Sequence, residues 1–201
     1  MLARLFAAAV IIPSLLLPTA PLPRAAAPVT FQIDGAHSGV SFQIRHFISK
    51  VRGNFGNVKG TITASPDAWQ DAVIDVTIAA ASISTANDRR DTHLRSSDFF
   101  AVDSFPTITF RSTRVERTGD DARIHGNLTM RGVTRPVVLT GRFTGIMTTA
   151  QGQRVGFEAS TTVNRVDYGV TWNRAAEGGG AMLGDEVTVN IEVEAVSAAR
   201  R

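Results

Sequence analysis

From residue 38 onward this chain is ruled by a period of two: apolar and polar side chains alternate through segment after segment. That spacing places all the apolar groups of a segment on one face of an extended strand, and a helix would scatter them, so an all-β fold is predicted. Residues 38–47 are the clearest case, with Val40, Phe42, Ile44 and His46 on one face and Ser41, Gln43 and Arg45 on the other. In residues 51–65, Gly53, Gly56 and Gly60 predict a bent or bulged strand that gathers Val58, Ile62 and Ala64 on one side. Pro66 and Asp67 then turn the chain. Residues 73–83 are apolar on both faces, so one face is expected to lie under another element. Five further runs point Ile108 and Phe110, then Ile124, Leu128 and Met130, then Val137, Leu139 and Phe143, then Val155, Phe157, Ala159 and Val163, and finally Val187, Val189, Ile191 and Val193 toward one side. Turn residues at 118–120, 131–132 and 151–152 join several of them as hairpins.

One stretch breaks the rhythm. Residues 89–97 lack alternation, glycine and proline, and Asn87 and Asp88 stand in front as N-cap candidates, so a short helix is predicted. Phe99, Phe100, Val102 and Phe105 follow as an apolar knot, and Pro106 ends any helix before alternation resumes. A helix inserted around residues 88–100 between strands reads as a cap over one end of the β-structure. The long segment 164–186, with its glycine tip Gly178–Gly180, is the other irregular region.

Eight long antiparallel strands can form a sandwich or a closed barrel. Short hairpins favour an up-and-down order, and closure removes exposed edges. The inward residues are mostly Val, Ile, Ala and Gly, with single phenylalanines on several strands, which predicts an eight-stranded barrel whose interior is under-filled; a dry packed core is the alternative. A slot of aliphatic carbon suits a long apolar chain, several isoprene units or a fatty tail, because each buried CH₂ contributes roughly 0.8 kcal/mol.

The N-terminal residues carry Arg4, an apolar run over residues 5–17 and small residues near Ala20 and at 25–27, the layout of a secretory signal peptide covering residues 1–27, with the barrel domain in 28–201. Pro21 and Pro28 follow the two small-residue sites and leave the cleavage point open, with an uncleaved anchor as the alternative. Removing that segment takes Arg4 and Arg24 from the 21 basic residues and leaves 19 against 18 acidic ones, so the mature protein is nearly neutral. Basic runs stop at two residues, which argues against nucleic-acid binding.

His37 and His46 are nine positions apart, hence on opposite faces of an unbroken strand, and with no HxH, HExxH or cysteine no metal site is expected. His46 ends an apolar inward row and reads either as the polar contact for a ligand head or as a histidine satisfied by a backbone carbonyl. Arg95, Asp98 and Asp91 in the cap, with Asn164, Arg165 and Asp167 in the long segment, either ring an opening or pair among themselves and pin the cap to the rim. Glu192 and Glu194 are read as solvated, and no GxSxG elbow or catalytic constellation is present. The candidate ligand contacts are therefore Val40, Phe42, Ile44, His46, Ile62, Phe110, Leu128, Phe143 and Phe157 on the wall and Arg95, Asn164, Arg165 and Asp167 at the rim. No cofactor is expected. Two rival readings are a lipid-modifying enzyme using His46 or His93 and a structural module with a packed core.

Taken in order, DGAHSGVSFQIRH at 34–46, GNFGNVKGTI at 53–62, NDRRDTHLRSSDFF at 87–100, FPTITFRST at 105–113, GNLTMRGVTRPVVL at 126–139 and VNRVDYGV at 163–170 resemble the YceI-like family of exported bacterial proteins, over about residues 31–196. The resemblance implies an extended lipocalin-like barrel, secreted to the periplasm, that carries or stores a polyisoprenoid such as an isoprenoid quinone or polyprenyl phosphate without catalysis, in quinone handling, stress response or sequestration of lipophilic compounds. It maps the family's paired histidines onto His37 and His46, its cap signature onto Asp91, His93, Leu94, Arg95 and Asp98, and its late motif onto Asn164, Arg165, Asp167 and Gly169. The partners expected are a long-chain lipid and transient contact with the membrane surface or membrane redox proteins; a homodimer is left open.

Overall fold

The structure, a computed structural model, describes residues 27–65, 68–175 and 181–198. The leader reading, the turn at Pro66 and Asp67 and the Gly178–Gly180 tip thus lie outside the described residues, Ala27 excepted. Eleven strands and one α-helix follow in order: β1 (Val29–Ile33), β2 (Gly39–His46), β3 (Ser49–Phe55), β4 (Val58–Ser65), β5 (Ala68–Ala79), β6 (Ile83–Ser84), α1 (Asp88–Arg95), β7 (Thr107–Thr118), β8 (Asp121–Met130), β9 (Val133–Thr149), β10 (Gly152–Asn164) and β11 (Leu183–Val196). All pairings are antiparallel, and the ring β1-β4-β5-β7-β8-β9-β10-β11 closes where Gln32 and Ile33 pair with Val196 and Ala195. The fold is a closed eight-stranded, lipocalin-like barrel. β2 continues the position of β1 alongside β11, β3 continues β4, and the short β6 continues β5 by pairing with β3, so eight long strands are each drawn with or without a break.

The breaks have local causes. Asn57, after Gly56, takes a left-handed φ of 52° and separates β3 from β4. Ala80–Ser82 forms a 3₁₀ turn, and Ser82 Oγ donates to the carbonyls of Gly56 and Ala79 at 2.9 and 2.6 Å, tying this break to that one. The turn alters the reading of 73–83 as one strand apolar on both faces. It resets the parity, so Ile78 and Ile83 are both buried, while on the outer face Val73 is 48% exposed and Asp75 and Ala81 are exposed as well, not covered by another element among the described residues.

The cap forms where the sequence predicts it. Asn87 Oδ1 accepts the Arg90 amide at 2.9 Å, and α1 runs from Asp88 to Arg95. The register places α1, the hairpin turns at 47–48 and 131–132, and residues 165–175 and 181–182 at one end of the barrel. The turns at 119–120 and 150–151 mark the other.

Candidate functional site

Along the axis runs a cavity of about 590 Å³, within the size range of small-molecule sites. Its existence follows from how the aromatics are laid. A Cβ built on Gly53 would lie 2.5 Å from the Phe42 ring, and one on Gly126 would lie 2.4 Å from the Phe110 ring. These rings lean sideways over a neighbouring strand's glycine instead of meeting across the axis. The mid-barrel residues Phe42, Leu128, Val189 and Ile191 accordingly face inward yet are only half-buried. At ~24 cal/mol per Å³, a dry core leaving a space of about 590 Å³ would forgo on the order of 10 kcal/mol, comparable to a whole domain's stability. The packed-core alternative does not describe this interior.

All nine residues read as wall candidates, Val40, Phe42, Ile44, His46, Ile62, Phe110, Leu128, Phe143 and Phe157, line the cavity. Of the four rim candidates only Arg165 touches it. Arg95 instead donates from Nε to the Ala81 carbonyl at 2.8 Å and from Nη2 to the Ile83 carbonyl at 2.7 Å, which fastens α1 to the barrel. Asn164 caps the 3₁₀ turn Arg165–Tyr168 by accepting the Val166 amide at 2.9 Å, and the exposed Asp167 offers its carbonyl to Arg135. These three hold the rim together from outside the cavity.

Several lining residues escape the alternation. At the capped end, His93, Leu94, Phe99, Phe100 and Trp172 face the cavity, with Phe55 and Phe100 edge to face at 5.5 Å and His93 edge-on to both Phe99 and Trp172 at 5.0 and 4.9 Å. At the far end Trp69 sits between Phe31 and Phe143, at 5.8 and 5.5 Å, and the Arg117 guanidinium lies 4.8 Å from the Phe143 ring centre. The wall is almost wholly apolar. Among the described residues its polar members are His46, Ser49, Arg90, His93, Arg117, Thr161 and Arg165, with no carboxylate.

Asp91 anchors the cap. It is 4% exposed and accepts the Thr85 amide at 2.8 Å and the Thr85 hydroxyl at 2.5 Å, while Arg90 donates to the Thr85 hydroxyl and carbonyl at 2.7 and 3.0 Å. Burial pushes the Asp91 carboxyl up, but the two Thr85 hydrogen bonds and the charges of Arg95 and Arg90 outweigh it and hold the group below the ordinary carboxylate value. A carboxyl lowered on folding contributes stability above its unfolded pKa, about 3.9, and the contribution is lost as pH falls through the lower folded value. Asp91→Asn is therefore expected to lower the thermal midpoint at pH 7 and to shrink the loss of stability between about pH 4 and more acid values. Asp91→Ala, which strips a charged acceptor from two donors, should cost about 2–3 kcal/mol at pH 7. Thermal unfolding across a pH series checks both.

Donor atoms of Asp34, His37 and Glu194 lie within 4.8 Å of one another, a grouping that the His37–His46 comparison does not anticipate. Arg154 Nη1, however, donates to Glu194 and, at 3.5 Å, to Asp34, while His37 Nδ1 lies 3.0 Å from Asp34. The cluster is an ion-paired latch beside the β1–β11 seam, and Glu194 is part of it instead of being merely solvated.

A closed antiparallel barrel, capped by a helix at one end and hollowed by an apolar cavity, defines a lipocalin-like binding protein. A model of the YceI-like domain matches residues 31–195, and the chain belongs to that family. A UPF0312 protein of Staphylococcus aureus strain MSSA476 is 35% identical over 167 residues, covering 82% of this chain and 95% of its own. Among solved structures, a YceI protein of Campylobacter jejuni superposes with a TM-score of 0.63 at 28% identity, over 76% of this chain and 88% of that one. A polyisoprenoid binding domain from Saccharophagus degradans shares the fold, with a TM-score of 0.62 at 15% identity, over 84% and 99% of the two chains.

Proposed function

We propose that this protein is a non-enzymatic carrier, exported to the periplasm, that holds the tail of a polyisoprenoid in its axial cavity. The single observation that carries the reading is the cavity itself, about 590 Å³ lined along the whole barrel by aliphatic and aromatic carbon. The Saccharophagus degradans domain of the same fold is described as polyisoprenoid binding, which supports the same ligand class here. Tail burial at roughly 0.8 kcal/mol per CH₂ supplies the affinity. The head is selected by charge: with Arg90, His93, Arg117 and Arg165 in the lining and no carboxylate among the described lining residues, a quinone or a phosphate is favoured over a cationic head.

A carrier role without turnover fits the polar groups available. His93 Nε2 lies 2.8 Å from Asp98 Oδ2, while the Ser96 and Ser49 hydroxyls donate to the backbone carbonyls of His93 and His46, and among the described residues neither imidazole is hydrogen-bonded to a hydroxyl that it could activate. Native mass spectrometry of protein purified from the exported fraction of its own host tests the reading. A co-purifying mass that fragments as a prenyl lipid, recovered unchanged after incubation, is expected. Protein that is repeatedly recovered without lipid and takes up no prenyl quinone added from ethanol would overturn it.

A further inference from the structure

We infer that the β2–β3 hairpin is the element that docks this protein on an anionic membrane surface, with Phe47 and Ile48 entering the lipid. The two-residue turn between His46 and Ser49 exposes Phe47 by 41% and Ile48 fully. Phe47 adopts a φ of 50°, a left-handed conformation that a bulky residue takes at a cost and that such turns normally assign to glycine. The Phe47 ring meets the edge of the His46 ring at 4.8 Å, and Ile48 stands fully exposed beyond it, so the tip presents apolar surface outward at some backbone cost, the kind of local strain found at functional elements.

Charge names the occupant. Between Asp34 and Asp67 the sequence has no acidic residue but carries Arg45, Lys50, Arg52 and Lys59. Arg45, Lys50 and Arg52 are exposed and form no ion pair among the described residues; Arg45 only donates to the Phe47 carbonyl at 3.3 Å, within the turn. An apolar tip flanked by unpaired cations suits the head-group boundary of an anionic leaflet. The other exposed apolar pair among the described residues, Ile146 and Met147 at the far end, lacks this pattern, because Arg154, which pairs with Met147 across the strands, and Arg142 on the same strand are committed to Asp34 with Glu194 and to Glu158. The hairpin is also continuous with the cavity: His46 and Ser49, on either side of the tip, line it, and the Phe47 amide donates to the carbonyl of Met182, another lining residue. Docking there brings the cavity wall to the bilayer. The inference rests on the carrier reading for what is transferred, though not for the docking itself.

The chain has no cysteine, so Ile48→Cys gives a single site for a polarity-sensitive fluorophore, with Ala150→Cys at the far-end turn as control. On adding vesicles containing phosphatidylglycerol the label at 48 is expected to shift to the blue, the label at 150 to stay unchanged, and phosphatidylcholine vesicles to have no effect. Adding Arg45→Glu and Lys50→Glu to the labelled protein should raise the lipid needed for half the shift at least tenfold, with the thermal midpoint retained. No shift at 48, or an equal shift at 150, overturns the inference. A blue shift that grows with protein concentration in the absence of vesicles also overturns it, by showing a second copy on the tip. Uptake of a prenyl quinone from ethanol by the same samples keeps the two readings apart: uptake without vesicle binding sinks docking alone, and vesicle binding without uptake sinks the carrier reading alone.

Discussion

Replacing Val189 with tryptophan is expected to abolish uptake of a prenyl quinone while leaving the barrel folded. Val189 lies midway along β11, paired with Phe42 on one side and Thr161 on the other, and all three residues line the cavity. A tail threading the axis passes this layer whichever end it enters. Excluding about four methylenes, at roughly 0.8 kcal/mol each, removes about 3 kcal/mol, a loss in affinity of a hundredfold or more. The same enlargement in a filled core would cost about 1–3 kcal/mol in overpacking, but here the indole grows into space that Val189, half-buried, already faces. The thermal midpoint is therefore expected to stay within a few degrees of the parent. Titration with a prenyl quinone and a thermal melt on one preparation give the answer. Full affinity in a folded Val189→Trp protein would mean that the tail does not lie in the barrel.

The wall was legible in the sequence because alternation survives burial on one side, and the inward rows on β2, β10 and β11 follow directly from it. It failed where the backbone changes step. A register shift between Ser112 and Arg114 on β7 reverses the parity, so Val115 and Arg117, which a simple continuation from Phe110 would turn outward, line the cavity. β1 gives only five residues between Pro28 and the turn at Asp34, too few for a period to stand out, although Phe31 is 1% exposed and closes the seam. Trp172 comes from a segment with no period at all. For the rim, residue types could be read but not their partners. An arginine near an opening can serve a ligand's charge or a set of carbonyls with equal economy of sequence, and only the fold reveals that Arg95 serves carbonyls.

The same distinction predicts the most destabilising single change. Arg165 is 4% exposed and donates from Nε to the Gly184 carbonyl at 2.9 Å, from Nη1 to the carbonyls of Val170 and Trp172 at 2.6 and 2.9 Å, and from Nη2 to Asp185 at 3.1 Å. One planar guanidinium thus joins both limbs of the segment that delivers Val170, Trp172 and Leu183 to the cavity wall. Arg165→Ala leaves three carbonyls without this donor and Asp185 without its counterion, and is expected to cost about 3–5 kcal/mol. For a domain of this size that lowers the thermal midpoint by roughly 10 °C or more. Arg165→Lys, a point donor that cannot span the same fork, should recover only part of it. Because the unfastened segment forms wall at the capped end, limited proteolysis should cut between residues 170 and 185 well before the strands, and a bound prenyl quinone should dissociate faster from either variant. An Arg165→Ala protein with the parent's melting point and protease resistance would show that the segment is held by its apolar contacts and not by the guanidinium.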